Sequence, residues 1–244
     1  MFFKKKKPAE SAHEPIDLLA QIEEQAFIAD VLAQKATASA VLPEKPSTEE
    51  IDESEIEWEE QEEVYRPETV VAETFLPSLP LSFAPELRPN AYLLFIRRQA
   101  WNLVQEHLRS DISVEQGGLL VGRALYDTRL NTYIILIEEA LVAPQGVETA
   151  TSFSYTAETW AAIFPHFREL PSNWTLLGSY HSHPNFGVFL SRVDLDTQEN
   201  IFPHPWQVAV VVDPVRNEEG FFTGEKGVVC NDWYILPDSV ESEK

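Results

Sequence analysis

Cysteine occurs once in the 244 residues, at Cys230. No disulfide can form within the chain, a closed cysteine-rich zinc site is excluded, and the composition fits a reducing compartment such as the cytoplasm. Basic residues are few: 18 Lys and Arg stand against 40 Asp and Glu, a formal net charge of −22. Binding to phosphate backbones needs the reverse balance, so no nucleic-acid partner is expected. Long apolar runs are missing as well. Nothing approaches the roughly 20 apolar residues that cross a bilayer, so the chain reads as soluble, with no membrane association. Met1-Phe2-Phe3 and Lys4 to Lys7 are not followed by the apolar core of a secretion signal. Phe2 stands where myristoylation needs glycine.

Glycine is absent from the first 116 residues, since all nine lie at or after Gly117, whereas nine of the seventeen prolines lie at or before Pro89. This asymmetry divides the chain. Residues 1–88 carry 20 acidic and 8 basic side chains, and ten of the fifteen residues from Glu49 to Glu63 are acidic. Such a segment repels itself and buries too little apolar surface to offset chain entropy, so most of it is expected to be a disordered acidic tail. Pro67 to Pro89 reads as an extended linker. Ile16 to Lys35 has helix formers throughout and a broad apolar side with Leu18, Leu19 and Ile22. It reads either as a helix for a protein partner or as a transient helix in a solvated tail. Residues 89–237 are long enough for one domain with its own core, and 238–244 form a short C-terminal tail.

The domain carries one run rich in chemistry: Gly178-Ser179-Tyr180-His181-Ser182-His183-Pro184, followed by Ser191 and Asp194. In a strand, residues i and i+2 share a face, so His181 and His183 point the same way while Ser182 points elsewhere. Pro184 ends the strand because it offers no ladder donor. Ser191 and Asp194 fit a capping box at the start of a helix over Arg192 to Phe202. A cap and a metal ligand are compatible roles for Asp194, because the cap fixes where its carboxylate sits. Two imidazoles and one carboxylate suit zinc and leave a fourth position open, which is the catalytic form of a zinc site.

The pattern H-x-H-P, six residues, S, two residues, D resembles the JAMM motif of the MPN metalloprotease family, and the resemblance extends over residues 89–237. Glu115, in Glu115-Gln116-Gly117-Gly118-Leu119-Leu120-Val121-Gly122, matches the upstream glutamate of that family. The resemblance implies an α/β MPN fold, a mixed sheet flanked by helices, with one zinc ion per chain held by His181, His183 and Asp194. It also implies that Glu115 moves protons between water and the leaving amine, and that Ser191 donates to the developing oxyanion. The substrate class it implies is ubiquitin or a ubiquitin-like protein joined to a lysine amine. The residues themselves argue only metal-assisted amide hydrolysis. A zinc amidase or peptidase acting on a small or peptide substrate is the first alternative, and a non-catalytic MPN scaffold the second. A zinc deaminase would need a P-C-x-x-C element, which one cysteine cannot supply.

The remaining elements follow the hydrophobic pattern. Tyr92 to Leu108 reads as a helix; Gly117 to Leu125 and Thr132 to Val142 as strands; Thr156 to Phe167 as a helix interrupted or ended near Pro165. Trp174 to His183 is the strand that carries the histidines, and Gln207 to Val212 is a strand buried on both faces. Phe221-Phe222, Gly227 to Cys230 and Trp233 to Leu236 complete the sheet. Cys230, on a strand with no histidine near it in sequence, reads as a buried thiol. His107, His166 and His204 have no role in the motif. The spacing from Asp194 to Trp206 and the loop from Pro144 to Thr151 are short, which suggests an open site.

Overall fold

Branched and aromatic residues collect into strands along most of the domain, and in the computed structural model nine of these strands form one mixed sheet. The structure describes residues 65–143, 147–148 and 153–238. The elements are, in order, β1 (Glu68–Thr69), α1 (Ala72–Phe75), β2 (Tyr92–Arg97), α2 (Arg98–Ser110), β3 (Gly117–Asp127) and β4 (Thr132–Val142). Then come β5 (Val147–Glu148), β6 (Phe153–Ser154), α3 (Ala157–Phe167), β7 (Thr175–Ser182) and α4 (Arg192–Asn200). The last are β8 (Val208–Asp213), β9 (Glu218–Thr223), β10 (Val228–Cys230) and β11 (Trp233–Leu236). The strand order is β10-β9-β8-β7-β3-β4-β2-β11, with β1 also paired to β3. β3 runs antiparallel to both β4 and β7, while β7 and β8 are parallel.

Helices cover both faces. Ala100, Trp101, Val104 and Leu108 of α2 pack on Leu94, Ile135, Leu120, Tyr180 and Val210. On the other face Trp160, Ile163 and Phe167 of α3 meet Leu119, Val121, Leu176 and Phe202. α3 starts on a capping box between Thr156 and Thr159 and runs through Pro165. The proline therefore does not end it. Near a helix C-terminus only one backbone bond is lost to the missing N–H.

Two further expectations fail. Tyr92 to Arg97 is a strand, not the first part of a helix. It lies between β4 and β11, parallel to both, with Leu94 and Ile96 turned into one core cluster and Leu93 and Phe95 into another. A strand buried on both faces is apolar at every position, so hydrophobic period cannot separate it from a helix. The stretch from Pro67 to Pro89 is not a free linker. Ala72 and Leu76 are buried against Leu93, Phe95, Leu125 and Ile134. Asp127 ties this segment down: its Oδ2 accepts the Ala72 N–H at 2.7 Å, and its Oδ1 accepts from Arg129 and Leu130. The helix considered over Ile16 to Lys35, the acidic run Glu49 to Glu63, most of the Pro144 to Thr151 loop and residues 239–244 lie outside the described residues.

Candidate metal centre

The pairing of β3 with β7 brings the upstream glutamate to the histidines. Gly117 lies opposite His181, so the antiparallel register carries Glu115 toward His183. Ser182, turned away from its two neighbours, locks this corner: its Oγ accepts the Gln116 N–H at 3.0 Å, and its own N–H donates to the Gln116 carbonyl at 2.9 Å. Gly178 allows β7 to approach β8. Its φ is +135°, and a Cβ there would stand 1.9 Å from the Val208 carbonyl oxygen.

His181 and His183 are buried, with 7% and 3% exposure, and their Nε2 atoms lie 3.1 Å apart. Asp194 arrives from the first turn of α4. Its Oδ2 accepts the Ser191 N–H at 2.6 Å while the Ser191 Oγ accepts the Asp194 N–H at 3.2 Å, so both halves of the capping box form. The same carboxylate faces both rings, with Oδ1 3.3 Å from His181 Nε2 and Oδ2 3.5 Å from His183 Nε2. Capping and facing the histidines are thus simultaneous. The ligand atoms of His181, His183 and Asp194 all lie within 4.8 Å of one another, and this is the one such group among the described residues. Two imidazole nitrogens turned toward each other need a shared electrophile or proton. Two nitrogens and a carboxylate oxygen at this spacing fit a zinc ion.

Electrostatics separates the two carboxylates. Burial opposes ionisation of Asp194, but hydrogen bonds from His181, His183 and Ser191 prevail and hold it well below the usual carboxylate range. Glu115 is pushed up by burial, against the pull of the two histidines. Burial would lower His183, yet the Asp194 and Glu115 carboxylates raise it above the ordinary imidazole value. Glu115 Oε1 stands 3.9 Å from His183 Nε2, beside the cluster but outside the group of ligands. The environment thus pushes the two carboxyls apart, Asp194 downward and Glu115 upward.

Residues 98–222, about half of the 244-residue chain, match the profile of a family described as prokaryotic homologs of the JAB domain. The chain belongs to that family. This JAB domain is also similar to eukaryotic proteins. It is 27% identical over 138 residues to 26S proteasome non-ATPase regulatory subunit 14 of Dictyostelium discoideum, covering 56% of this chain and 44% of that one. It is 34% identical over 147 residues to COP9 signalosome complex subunit 5 of Caenorhabditis elegans, covering 56% and 37%. A third relative, ubiquitin carboxyl-terminal hydrolase RPN11 of Saccharomyces cerevisiae, is 30% identical over 117 residues, covering 47% and 36%. The chain thus spans less than half the length of the curated relatives it matches.

All five residues picked from the motif, Glu115, His181, His183, Ser191 and Asp194, come together in the JAB domain. The other histidines among the described residues lie elsewhere. His107 Nδ1 is 3.0 Å from the Tyr180 hydroxyl, His166 sits beside Glu139, and His204 stacks on Trp206. Cys230 is buried, and desolvation pushes its thiol up to about 11. Sequence reasoning missed three supports: Ser182, Gln116, and Tyr155, whose hydroxyl donates to the Gly118 carbonyl at 2.7 Å. The pairing of β3 with β7 reveals the first two, and the packing of the segment before α3 on β3 reveals the third.

Proposed function

We propose that this protein is a zinc-dependent isopeptidase that cleaves the amide between the C-terminus of ubiquitin or a ubiquitin-like protein and a lysine amine. The observation that carries the hydrolytic part is the buried Glu115 carboxylate, its Oε1 3.9 Å from His183 Nε2, set beside the converging ligand atoms of His181, His183 and Asp194. His181, His183 and Asp194 would hold the metal. Zinc, when bound, supplies Lewis acidity and brings the pKa of a water down to about 7. Glu115 would accept a proton from the attacking water as its oxygen bonds to the scissile carbonyl carbon, and would pass that proton to the amide nitrogen as the C–N bond breaks, because an unprotonated amine leaves poorly. Ser191 uses its oxygen to accept the Asp194 N–H, which leaves its hydroxyl proton free to donate to the carbonyl oxygen as negative charge develops there.

The substrate class draws support from a relative whose name is ubiquitin carboxyl-terminal hydrolase. It also draws on the shape of the site. The recess behind His181 and Asp194, against Tyr155, Ser179 and Thr197, is only about 10 Å³. The apolar residues Phe186, Phe189 and Val193 beside it are exposed, with the Phe189 ring 4.7 Å from the His183 ring. A recess too small to enclose a ligand, with exposed apolar side chains near it, suits a polypeptide laid across the surface better than a small enclosed molecule.

The test is to measure metal content and then to incubate the full chain with ubiquitin and ubiquitin-like conjugates and with a short acyl-lysine peptide, each with and without a chelator. Chelator-sensitive release of the folded modifier is the expected result. Cleavage of the short peptide alone would replace this reading with an amidase. A protein that binds no zinc and cleaves neither substrate would leave a scaffold.

A further inference from the structure

We propose that Asp213 is a positioning residue for the metal centre, holding the turn at 185–187 that orients His183. The inference rests on the metal-site reading above. Asp213 closes β8, next to the parallel strand that carries the histidines, and its side chain is fully buried. A buried carboxylate needs several donors to offset its lost hydration. It has four from the backbone. Oδ1 accepts the N–H groups of Asn185 at 3.0 Å, Val215 at 2.9 Å and Arg216 at 3.0 Å, and Oδ2 accepts that of Gly187 at 2.8 Å. Burial opposes its charge, but these donors prevail and hold the carboxyl below its usual range.

Two of the four donors belong to the turn immediately after His183-Pro184. Asn185 and Gly187 both have positive φ, +65° and +84°, a conformation that costs a residue with a Cβ energy unless something holds it. Arg216 adds a second hold, with its Nη2 donating to the Asn185 carbonyl at 2.7 Å and its Nε to the Asn185 side chain at 3.3 Å. The side of His183 that faces this turn matters for its chemistry. Its Nδ1 is buried and has no hydrogen-bond partner, while its backbone is held from both sides, the His183 N–H donating to the Val212 carbonyl at 2.9 Å and the Phe186 N–H of the turn donating to the His183 carbonyl at 3.2 Å. When Nε2 ligates a metal, Nδ1 must keep its hydrogen and point it at an acceptor, which sets the tautomer and the ring angle. The turn that Asp213 grips through the Asn185 and Gly187 N–H groups is the one that bonds back to the His183 carbonyl through Phe186. Asp213 therefore acts through this turn on a ligand it does not touch.

The decisive variant is Asp213→Asn in the full chain. The amide keeps the volume but turns an NH2 group toward a backbone N–H, so at least one hold on the turn is lost. Three quantities are read: the zinc dissociation constant by competition with a chromophoric chelator, the visible spectrum of the cobalt(II)-substituted protein, and the melting temperature of the metal-free protein. Zinc affinity is expected to fall about 10–100-fold, the usual effect of removing an outer partner of a metal ligand. The cobalt bands should shift while the metal-free variant remains folded. A folded Asp213→Asn protein with unchanged zinc affinity and cobalt spectrum overturns the inference. If that variant does not fold, Arg216→Ala replaces it, because Arg216 is 46% exposed and its loss leaves the core intact. A loss of about tenfold in affinity is then expected, and none overturns the inference. Failure of the unaltered protein to bind zinc would instead refute the metal-site reading itself.

Discussion

Glu115→Gln separates catalysis from metal binding in a single substitution. The two side chains have nearly the same shape, so the pocket beside the histidines stays filled and the amide can still hydrogen-bond. What disappears is the proton acceptor. General acid–base help contributes about 10²–10⁴-fold, and each factor of ten is 1.36 kcal/mol, so the barrier should rise by about 3–5 kcal/mol. Zinc should stay bound, because Glu115 lies outside the group formed by His181, His183 and Asp194. Stability of the metal-free protein moves the other way. Burial raises the folded-state pKa of Glu115, so the folded chain holds that proton more tightly than the unfolded chain does, and the ionised form weakens the fold at neutral pH. The variant removes that charge and should melt at the same temperature or higher. The assay pairs single-turnover cleavage of a conjugate with zinc analysis of the same sample. A zinc-loaded variant that cleaves within threefold of the parent refutes the base assignment, and a variant that loses its zinc shows that Glu115 is a ligand.

Ser191→Ala should reduce turnover by about 10²–10³-fold through the lost oxyanion donor, and should lower stability by about 1 kcal/mol through the lost helix cap; a turnover change no larger than the stability change explains would remove the donor role. In the metal-free protein, His183 has a folded pKa above its unfolded value, so its stabilising contribution is complete below about pH 6.5 and is lost as pH rises through the raised value. Asp194, held low, contributes at pH above the unfolded value of about 3.9 and loses that contribution as pH falls through its folded pKa. Melting temperatures of chelated protein across the pH range should therefore peak on the acidic side of neutrality, and a maximum at alkaline pH would contradict this. Deleting residues 1–88 should destabilise the domain, because Leu76 alone contributes about 1.5–3 kcal/mol by burial and Asp127 loses the Ala72 N–H; deleting only 1–64 spares both contacts, and equal melting temperatures for the two truncations would refute the role of the 65–88 segment.

The metal cluster was legible in the sequence because its parts are local. A strand period of two aligns His181 with His183, a proline stops the strand, and a helix cap at Ser191 needs an acid at Asp194. Each of these is a short-range consequence of backbone geometry. Glu115 was reachable only by the family resemblance, since its approach to His183 depends on β3 pairing with β7 across more than sixty residues. The same is true of what the sequence concealed. Tyr92 to Arg97 reads as a helix until β4 and β11 flank it, and α2 begins without a local side-chain cap because Asp238 Oδ1 accepts the Gln99 N–H at 2.8 Å from the far end of the domain. Asp213 appears in the sequence as one more acid after an apolar run. Two of its four donors, the Val215 and Arg216 N–H groups, lie in its own turn, but the other two, from Asn185 and Gly187, arrive only when the parallel strands lie side by side. Local spacing determined which atoms could bind a metal; long-range strand pairing decided which groups would hold them still, because a buried charge needs more donors than its own turn supplies and finds the rest in space.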